Sequence, residues 1–176
     1  MPQLTIRTTV PTDIPEILAF IRELAEYERE PDSAIATEAD LLRDGFGPNP
    51  RFHCLIAEWS DSTNNQQPAT NNPLAPAGFA LYFYNYSTWR GRPGIYIEDL
   101  FVRPAFRGRG IGKSLLAAVA AIAVAESCPR LEWAVLDWNT PAIDFYKSVG
   151  AVPMSEWTTM RLAGDALHTL AARPKF

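Results

Sequence analysis

One stretch, residues 95–126, restricts the possible folds more than any other part of the chain. Its first eight residues are mostly β-branched, aromatic or leucine side chains, which predicts a buried strand. Pro104 ends the strand because proline donates no ladder hydrogen bond. A glycine-rich turn at 107–112 and a helical run at 113–126 follow. This order brings several backbone N–H groups to a helix N-terminus, which suits a phosphate group.

Two common phosphate-binding motifs fail at this turn. The dinucleotide motif G-x-G-x-x-G requires a glycine at position 113, where the chain has Lys113. The P-loop motif requires a glycine at position 107, where the chain has Arg107. The pattern that fits is (Arg/Gln)-x-x-Gly-x-(Gly/Ala), formed by Arg107, Gly110 and Gly112. It resembles the pyrophosphate-binding loop of the GNAT superfamily of N-acetyltransferases, which use acetyl-CoA.

The composition predicts one globular domain over residues 1–176. Hydrophobic residues make up 47% and charged residues 20%, and no apolar run approaches the ~20 residues of a membrane span. The net charge of −4 disfavours nucleic acid as a partner and is compatible with a cationic substrate. Two cysteines and two histidines without ligand spacing predict no metal site. The first residues do not resemble a secretory signal, so we expect a cytoplasmic protein with no membrane association.

Hydrophobic periodicity predicts an α/β (α+β) fold, a mixed central sheet with helices on both faces. Antiparallel strands come first, and a strand–helix–strand unit follows. Residues 60–76 are rich in Ser, Asn, Gln and Pro, which predicts a mobile loop inserted into the domain. The predicted strands are 4–9, 51–58, 78–86, 95–102, 131–137 and the last strands within 151–162. The predicted helices are 14–30, 37–45, 113–126, 139–148 and 165–172. The second of them is expected to begin with a capping box at Thr37-Glu38-Ala39-Asp40.

Acyl transfer from a thioester to an amine requires an unprotonated amine, a polarised carbonyl and a proton for the thiolate. Glu98 and Asp99, in the middle of the central strand, offer one carboxylate on each face of the sheet. Such a carboxylate can bind the ammonium group and then accept its proton. The alternative, a salt bridge or a charge at a sheet edge, is disfavoured by the apolar residues on either side.

The same strand offers a way to polarise the carbonyl. If it separates from the next strand at the turn, the N–H groups of Leu100, Phe101 and Val102 become available to the pantetheine chain and the thioester oxygen. For the thiolate, Tyr146 on the predicted helix 139–148 is a candidate general acid. The alternative is that Tyr146 is a core aromatic residue like its neighbour Phe145.

Nearly the whole chain resembles the spermidine/spermine N1-acetyltransferase family. The matching segments are 21–28, 41–50, 52–58, 96–102, 107–112 and 137–150. The resemblance implies acetylation of a primary amine by acetyl-CoA, with direct attack on the thioester, in a homodimer. It implies that Glu98 is the amine-side carboxylate and Tyr146 the general acid. The implied substrate contacts are Tyr27, Glu28, Glu132, Trp133 and Ala134. The implied CoA contacts are Leu100, Phe101, Val102, Arg107, Gly108, Arg109, Gly110, Ile111, Gly112, Lys113, Asn139, Thr140, Pro141, Ala142 and Tyr146.

One departure bears on the substrate. Polyamine-specific members carry an acidic residue and proline before the tryptophan of the turn between the third and fourth strands, where this chain has Ser87, Thr88 and Trp89. A hydroxyl pair supplies no charge to oppose a second ammonium group. The chain therefore resembles the branch that acetylates thialysine, and we expect a lysine-like amino acid or short diamine as substrate. The alternatives are spermidine/spermine acetylation, protein acetylation, and an inactive acetyl-CoA-binding or partner-binding protein.

Overall fold

The computed structural model describes residues 2–61 and 74–173, which belong to two compact units, 1–134 and 135–176. The first unit contains a five-stranded sheet, and the second contains two helices and the segment between them. The strands are β1 (Gln3–Thr8), β2 (His53–Ser60), β3 (Ala75–Ser87), β4 (Arg92–Val102) and β5 (Leu131–Trp133). The helices are α1 (Ile14–Tyr27), α2 (Glu38–Phe46), α3 (Ile111–Ala125), α4 (Thr140–Ser148) and α5 (Gly164–Ala171).

The sheet is mixed, as the order of the predicted elements indicates. Its strands lie in the order β1-β2-β3-β4-β5. The first four strands form an antiparallel meander, and β5 is parallel to β4. The parallel pair is joined through α3, the crossover helix that such a connection requires.

The helices of the first unit cover opposite faces of the sheet. On one face, α1 and α2 pack against β2, β3 and β4 in a single apolar cluster. Its centre is Phe20 of α1, which stacks on Phe79 with ring centroids 5.1 Å apart. Burying a side chain of this size contributes about 2 kcal/mol. On the other face, Leu115 and Val119 of α3 are fully buried outside that cluster.

A β-bulge in β4 reverses which side chains face which helices. Leu81 of β3 pairs with Asp99, and the next residue of β3, Tyr82, pairs with Ile97, so Glu98 has no partner in this ladder. Because Leu81 and Tyr82 are consecutive, their side chains lie on opposite faces. Asp99 therefore lies on the α1–α2 face with Leu81, whereas Ile97 lies on the α3 face. A bulge is a common way to redirect side chains beside a functional site.

The start of α2 confirms a prediction made from four residues. Thr37 is the N-cap, and its hydroxyl accepts a hydrogen bond from the backbone N–H of Asp40 at 3.2 Å. The Asp40 carboxylate accepts in return from the Thr37 N–H at 3.1 Å. This reciprocal pair is the capping box that the sequence indicated, and it satisfies two backbone donors that a helix start leaves open.

One predicted strand is shorter than expected, and the strands predicted within 151–162 are absent. The strand expected at 131–137 ends at Trp133, because its pairing with β4 stops at Ile97, immediately before the bulge. Residues 151–162 contain no strand, and apolar side chains there remain exposed, Met160 by 87%. An alternating sequence becomes a strand only where a ladder partner satisfies its backbone groups.

The predicted loop at 60–76 needs new boundaries. Ser60 is the last residue of β2, and Ala75 and Pro76 begin β3. Residues 62–73 lie outside the described residues. In the described part of the chain, no helix has both the length and the apolar character needed to cross a membrane.

Candidate active site

The turn before α3 is built on two glycines in the left-handed region. Gly108 has φ of 76° and Gly110 has φ of 79°, values that cost a side-chain-bearing residue about 1–2 kcal/mol. Gly110 is also the N-cap of α3. The turn therefore depends on glycine for its backbone conformation, as the sequence motif indicated.

The same turn presents a row of unpaired backbone donors. In the described part of the chain, the N–H groups of the six residues 108–113 have no hydrogen-bond acceptor. The row ends in the first turn of α3, where the helix dipole adds partial positive charge. Lys113 is exposed in that turn and adds a full charge. Unpaired donors of this kind at a helix N-terminus can hold the pyrophosphate of a nucleotide cofactor such as CoA.

Arg107 connects this turn to the end of α1. Its Nε donates to the backbone carbonyl of Val102 at 2.9 Å. The guanidinium carbon lies 4.6 Å from the ring centre of Tyr27 and 5.7 Å from that of Phe101. Cation–π contacts at these distances hold the arginine between β4 and α1. Tyr27, predicted to contact the substrate, thus lies directly beside the predicted cofactor turn.

Arg109 makes contacts on the other side of the turn. Its Nη1 binds the two carboxylate oxygens of Asp61 at 2.8 and 3.0 Å. Its guanidinium also lies 5.2 Å from the ring centre of Trp59. The side chain of Arg109 therefore ties the turn to the end of β2, and its backbone N–H remains the group directed at a ligand.

The edge of β4 is open beside this turn, as the sequence predicted. The ladder between β4 and β5 ends with the pair Ile97 and Trp133, whereas β4 continues to Val102. In the described residues, the β5-facing edge of 98–102 has no strand partner. Alternate residues of β4 direct their backbone groups away from β3, so part of the backbone of Leu100, Phe101 and Val102 is available to an extended ligand. The Val102 carbonyl already accepts from Arg107.

Three carboxylates, those of Asp99, Glu98 and Glu28, lie close enough beside the bulge for their charges to interact. The pKa of Asp99 is raised to about 7, mainly by burial and in addition by the charges of Glu98 and Glu28. Burial also raises the pKa of Glu28, the residue that caps the C-terminus of α1. Glu98 itself is exposed at the bulge. Although these acids are close, no group of His, Cys, Asp and Glu among the described residues is arranged to hold a metal ion.

Glu132 is held in a second polar group on the first unit. Asn85 donates from Nδ2 to Glu132 Oε2 at 2.8 Å, and Arg130 Nε lies 2.9 Å from the same oxygen. Tyr96 pairs with Glu132 across the β4–β5 ladder and lies two residues before Glu98. Burial raises the pKa of Tyr96, and the charges of Glu98 and Glu132 act in the same direction. The backbone of Ala134 hydrogen-bonds the Tyr96 hydroxyl. Trp133 is half-buried.

The turn between β3 and β4 separates the three residues that the sequence grouped. Ser87 is buried, and its hydroxyl accepts a hydrogen bond from the Arg90 backbone N–H at 3.3 Å. Thr88 and Trp89 are exposed, Trp89 by 90%. The Ser87 hydroxyl therefore stabilises the turn, and the exposed pair presents the groups that a ligand can reach.

In the second unit, the predicted CoA residues are at the start of α4. Asn139 is buried and is the N-cap, and its Oδ1 accepts from the Ala142 N–H at 3.4 Å. Thr140, Pro141 and Ala142 form the first turn of the helix. Tyr146 is half-buried, and its ring lies 5.2 Å from that of Phe145. The roles predicted for these residues remain predictions.

The sequence alone did not indicate how Asp99, Asn85 and Arg130 are placed at the site. Sequence reasoning noted Asp99 as a carboxylate but assigned the proton chemistry to Glu98, because alternation along a strand cannot reveal a bulge. It did not select Asn85 or Arg130. A mid-strand Asn and an Arg two residues before a strand-borne Glu are weak signals, and only the sheet register brings them together.

The chain matches known proteins along nearly its whole length. The family model described as "Acetyltransferase (GNAT) family" matches residues 17–151. A thialysine N-epsilon-acetyltransferase from Sus scrofa is 42% identical over 178 residues, which cover 98% of this chain and 100% of that protein. A spermidine/spermine N(1)-acetyltransferase-like protein 1 from Homo sapiens is 39% identical, covering 97% of this chain and 24% of that protein. An integron cassette protein of V. cholerae has a TM-score of 0.75 at 28% identity, covering 97% of this chain and 98% of that one.

These matches and the sheet define an acetyltransferase fold. The chain belongs to the acetyltransferase (GNAT) family, and the resemblance inferred from the turn is confirmed. It is an N-acetyltransferase, an enzyme that transfers an acetyl group to an amine.

Proposed function

We propose that the chain transfers the acetyl group of acetyl-CoA to the side-chain amine of a lysine-like amino acid or a short diamine, with thialysine as the preferred substrate. The amine attacks the thioester directly, so the N–C bond forms as the C–S bond breaks. One ammonium proton passes to a carboxylate of the enzyme before the attack, and the nitrogen loses a second proton as the amide forms. The thiolate takes up one proton as it leaves, so one proton is released overall.

The turn at 107–113 supports acetyl-CoA as the acetyl donor. Its six unpaired N–H groups and Lys113 would hold the pyrophosphate, and Arg107 would keep the turn in place against β4. The open edge of β4 at Leu100, Phe101 and Val102 would pair with the amide groups of the pantetheine chain. When bound, acetyl-CoA supplies an acetyl group already activated as a thioester.

The arrangement that carries the proposal is the bulge in β4, which turns Asp99 to the α1–α2 face near Glu98 and Glu28. Burial and these two charges raise the pKa of Asp99 to about 7. An alkyl amine with a pKa near 10.4 is about 99.9% protonated at neutral pH, so a base must remove its proton. A carboxylate with a pKa near the working pH is the best-matched general base. Glu98 and Glu28, on either side, would attract the ammonium group. In this scheme Glu98 binds the ammonium group of the substrate, and Asp99 accepts the proton that the ammonium group loses.

Tyr146 is proposed as the acid that protonates the thiolate. A phenol hydroxyl can donate a hydrogen bond to the leaving sulfur and give it a proton. The proposal extends the family resemblance to this position, with Asn139, Thr140, Pro141 and Ala142 as further CoA contacts.

Spermidine or spermine is the second candidate substrate. The similarity to the human spermidine/spermine N(1)-acetyltransferase-like protein 1 and the acidic face both favour it. The neutral turn at Ser87 and Thr88 favours thialysine instead, because a polyamine's distal ammonium gains nothing from two hydroxyls.

A panel of amines tests the proposal directly. Purified enzyme is incubated with acetyl-CoA and thialysine, lysine, putrescine, spermidine or spermine, and the products are identified by mass spectrometry. We expect the highest kcat/KM with thialysine and a product acetylated on the side-chain amine. A higher kcat/KM with spermine would favour the second candidate, and acetylation of none of the five would contradict the proposal.

We further propose that the enzyme acts as a homodimer in the cytoplasm. Support for the dimer comes from apolar side chains exposed in one segment of the second unit, Val152, Met154, Trp157 and Met160, by 66–87%. Monomeric proteins rarely leave so many apolar groups in contact with water. Light scattering with a Trp157→Glu variant tests the dimer, since a new charge at an interface should shift the mass towards a monomer.

A further inference from the structure

Asn85, Arg130 and Glu132 form a polar group on the same sheet face as the carboxylates, but further towards the start of β4. We call it the Arg130 group. Glu132 is paired with Tyr96 across the β4–β5 ladder, and Asn85 is paired with Gly94 across the β3–β4 ladder. The neighbouring strands β3, β4 and β5 thus bring their residues together at the Arg130 group.

A glycine makes room for this group. A Cβ at position 94 would lie 2.6 Å from Asn85 Oδ1, 2.9 Å from Arg130 Cγ and 3.1 Å from Arg130 Nε. The side chains of Asn85 and Arg130 therefore lie directly over the backbone of β4. A larger residue at position 94 would displace both of them.

The Arg130 group is incompletely satisfied. Asn85 Oδ1 is a buried acceptor with no hydrogen-bond partner in the described residues, and Arg130 Nε is a buried donor in the same state. Arg130 Nε lies 2.9 Å from Glu132 Oε2, close enough for charge attraction without hydrogen-bond geometry. Buried polar groups left without partners cost free energy, and a ligand that supplies those partners recovers it.

The group also carries both charges and remains accessible. The Arg130 and Glu132 side chains are 36% and 38% exposed. In the described part of the chain, the terminal nitrogens of Arg130 have no hydrogen-bond partner, and neither has Glu132 Oε1. A guanidinium with two free nitrogens matches a carboxylate, and a carboxylate with a free oxygen matches an ammonium group.

The spacing fits an amino acid with a long side chain. Glu98 lies two residues along β4 from Tyr96, the partner of Glu132, which places it about 7 Å further along the sheet. In thialysine or lysine, five bonds of about 1.5 Å, in an extended zigzag, separate the α-carbon from the side-chain nitrogen by about 6 Å. An α-amino acid whose head lies at the Arg130 group therefore brings its side-chain amine to Glu98 and Asp99.

We propose that the Arg130 group is the subsite for the zwitterionic head of the amino-acid substrate. The Arg130 guanidinium binds the α-carboxylate, and Glu132 and Asn85 Oδ1 bind the α-ammonium group. This inference rests on the proposed function and adds to it a reason for preferring an amino acid over a polyamine. A polyamine offers no carboxylate to Arg130.

Two analogues of thialysine separate the two halves of the subsite. Bis(2-aminoethyl) sulfide keeps the chain and both amines but lacks the carboxylate. S-(2-aminoethyl)-3-mercaptopropionic acid keeps the carboxylate but lacks the α-ammonium group. The ratio of kcat/KM for thialysine to that for each analogue is measured in wild type, Arg130→Gln and Glu132→Gln, with Arg22→Gln as an exposed arginine control on α1.

We expect Arg130→Gln to lower the thialysine preference over the decarboxylated sulfide about tenfold or more, the usual effect of losing a charge-assisted hydrogen bond. Glu132→Gln should lower the preference for thialysine over S-(2-aminoethyl)-3-mercaptopropionic acid, the analogue without the α-ammonium group. Arg22→Gln should change neither ratio. Arg130→Lys keeps the charge and should give an intermediate ratio. If Arg130→Gln does not fold, the substrate ratio of Arg130→Lys tests the proposal instead.

A purely structural Arg130 group would give a different pattern. Arg130→Gln would then lower kcat/KM for thialysine and both analogues by the same factor, which would overturn the proposal. Calorimetric binding of the three compounds to the wild type measures the subsite without turnover. A wild type that binds thialysine more tightly than the sulfide but acetylates neither would contradict the proposed function and leave the subsite standing. Equal binding of the two would overturn the subsite.

Discussion

The turn at 107–113 takes all its ligand-binding groups from seven consecutive residues, whereas the neighbouring acidic face takes Glu28 from the end of α1 and Glu98 and Asp99 from a bulge in β4. The turn works through backbone N–H groups, which any side chain leaves in place provided the φ angles survive. The acidic face offers side-chain charges, and the pKa of Asp99 responds to the charges of Glu98 and Glu28. The turn at 107–113 should therefore be sensitive to changes in backbone conformation. The acidic face should be sensitive to changes in charge and pH.

The largest expected effect is on the turn. Gly110→Val places a β-branched residue at φ of 79°, where no neighbour lies within 4 Å of the new Cβ, so the backbone angle alone opposes it. Losing the conformation and two or more charge-assisted hydrogen bonds should lower kcat/KM for acetyl-CoA about 10³-fold. Steady-state kinetics with varied acetyl-CoA measure this.

Gly164→Val is the matched control for the turn, because Gly164 has φ of 55° and also has open space around its Cβ position. It should cost similar stability and leave the acetyl-CoA KM unchanged. An unchanged acetyl-CoA affinity in Gly110→Val would show that residues 107–113 are not the cofactor turn.

The next effect concerns the proposed acid on α4. Tyr146→Phe keeps the ring and removes the phenolic proton, so kcat should fall about 100-fold with little change in the amine KM. Tyr86→Phe, at a tyrosine exposed by 61% on β3, is the control and should retain full activity. If kcat survives in Tyr146→Phe, Tyr146 is a packing residue beside Phe145.

Asp99→Asn should change how stability depends on pH. In the folded chain Asp99 keeps its proton up to pH about 7, and in the unfolded chain it ionises near the usual 3.8. The folded state thus binds more protons between these values, so this residue's contribution to stability is present at low pH and is lost as pH rises through 7.

The Asp99→Asn variant has no carboxyl group at position 99, so its free energy of unfolding does not fall with pH on account of this residue. Its free energy of unfolding relative to wild type should therefore rise between pH 4 and 8, by at most about 4 kcal/mol at 1.36 kcal/mol per pKa unit. Urea unfolding at several pH values measures the difference. Glu156→Gln, at an exposed glutamate, is the control, and equal pH dependence in all three proteins would mean that Asp99 is an ordinary carboxylate.

The smallest effect concerns the turn between β3 and β4. Thr88 is exposed, so Thr88→Asp adds a charge that a polyamine's distal ammonium can reach, worth about 0.5–2 kcal/mol. The kcat/KM ratio of spermidine to thialysine should rise about two- to thirtyfold, and added salt should reduce the gain. Thr88→Asn is the uncharged control.

Ser87→Asp should act more weakly than Thr88→Asp, because a carboxylate at Ser87 would accept the Arg90 N–H that the hydroxyl now binds. An equal substrate ratio in Thr88→Asp and Thr88→Asn would mean that this turn does not select the substrate.

The two regions also differ in how much the sequence could predict. The turn was predicted from Arg107, Gly110 and Gly112, since local conformation and helix start are properties of neighbouring residues. The capping box at Thr37 was predicted for the same reason. The raised pKa of Asp99 and the Arg130 group depend on sheet register, which a single sequence does not specify.

The shortened strand and the absent strands have the same origin. Residues 134–137 and 151–162 have a composition suited to strands, but the composition carries no information on whether a ladder partner exists. The bulge at Glu98 ends the pairing of β4 with β5 and at the same time creates the open edge that the proposed cofactor site needs. One irregular residue therefore explains both an error in the predicted fold and a feature of the site.

The most direct test of the account is the pH dependence of kcat/KM for thialysine in wild type, Glu98→Gln and Asp99→Asn. We predict an acidic limb with a pKa of about 7 in the wild type. The limb should move to lower pH in Glu98→Gln, because removing the neighbouring negative charge lowers the pKa of Asp99. It should be absent in Asp99→Asn. A limb of unchanged pKa in Asp99→Asn would contradict the assignment of the proton path to this carboxylate.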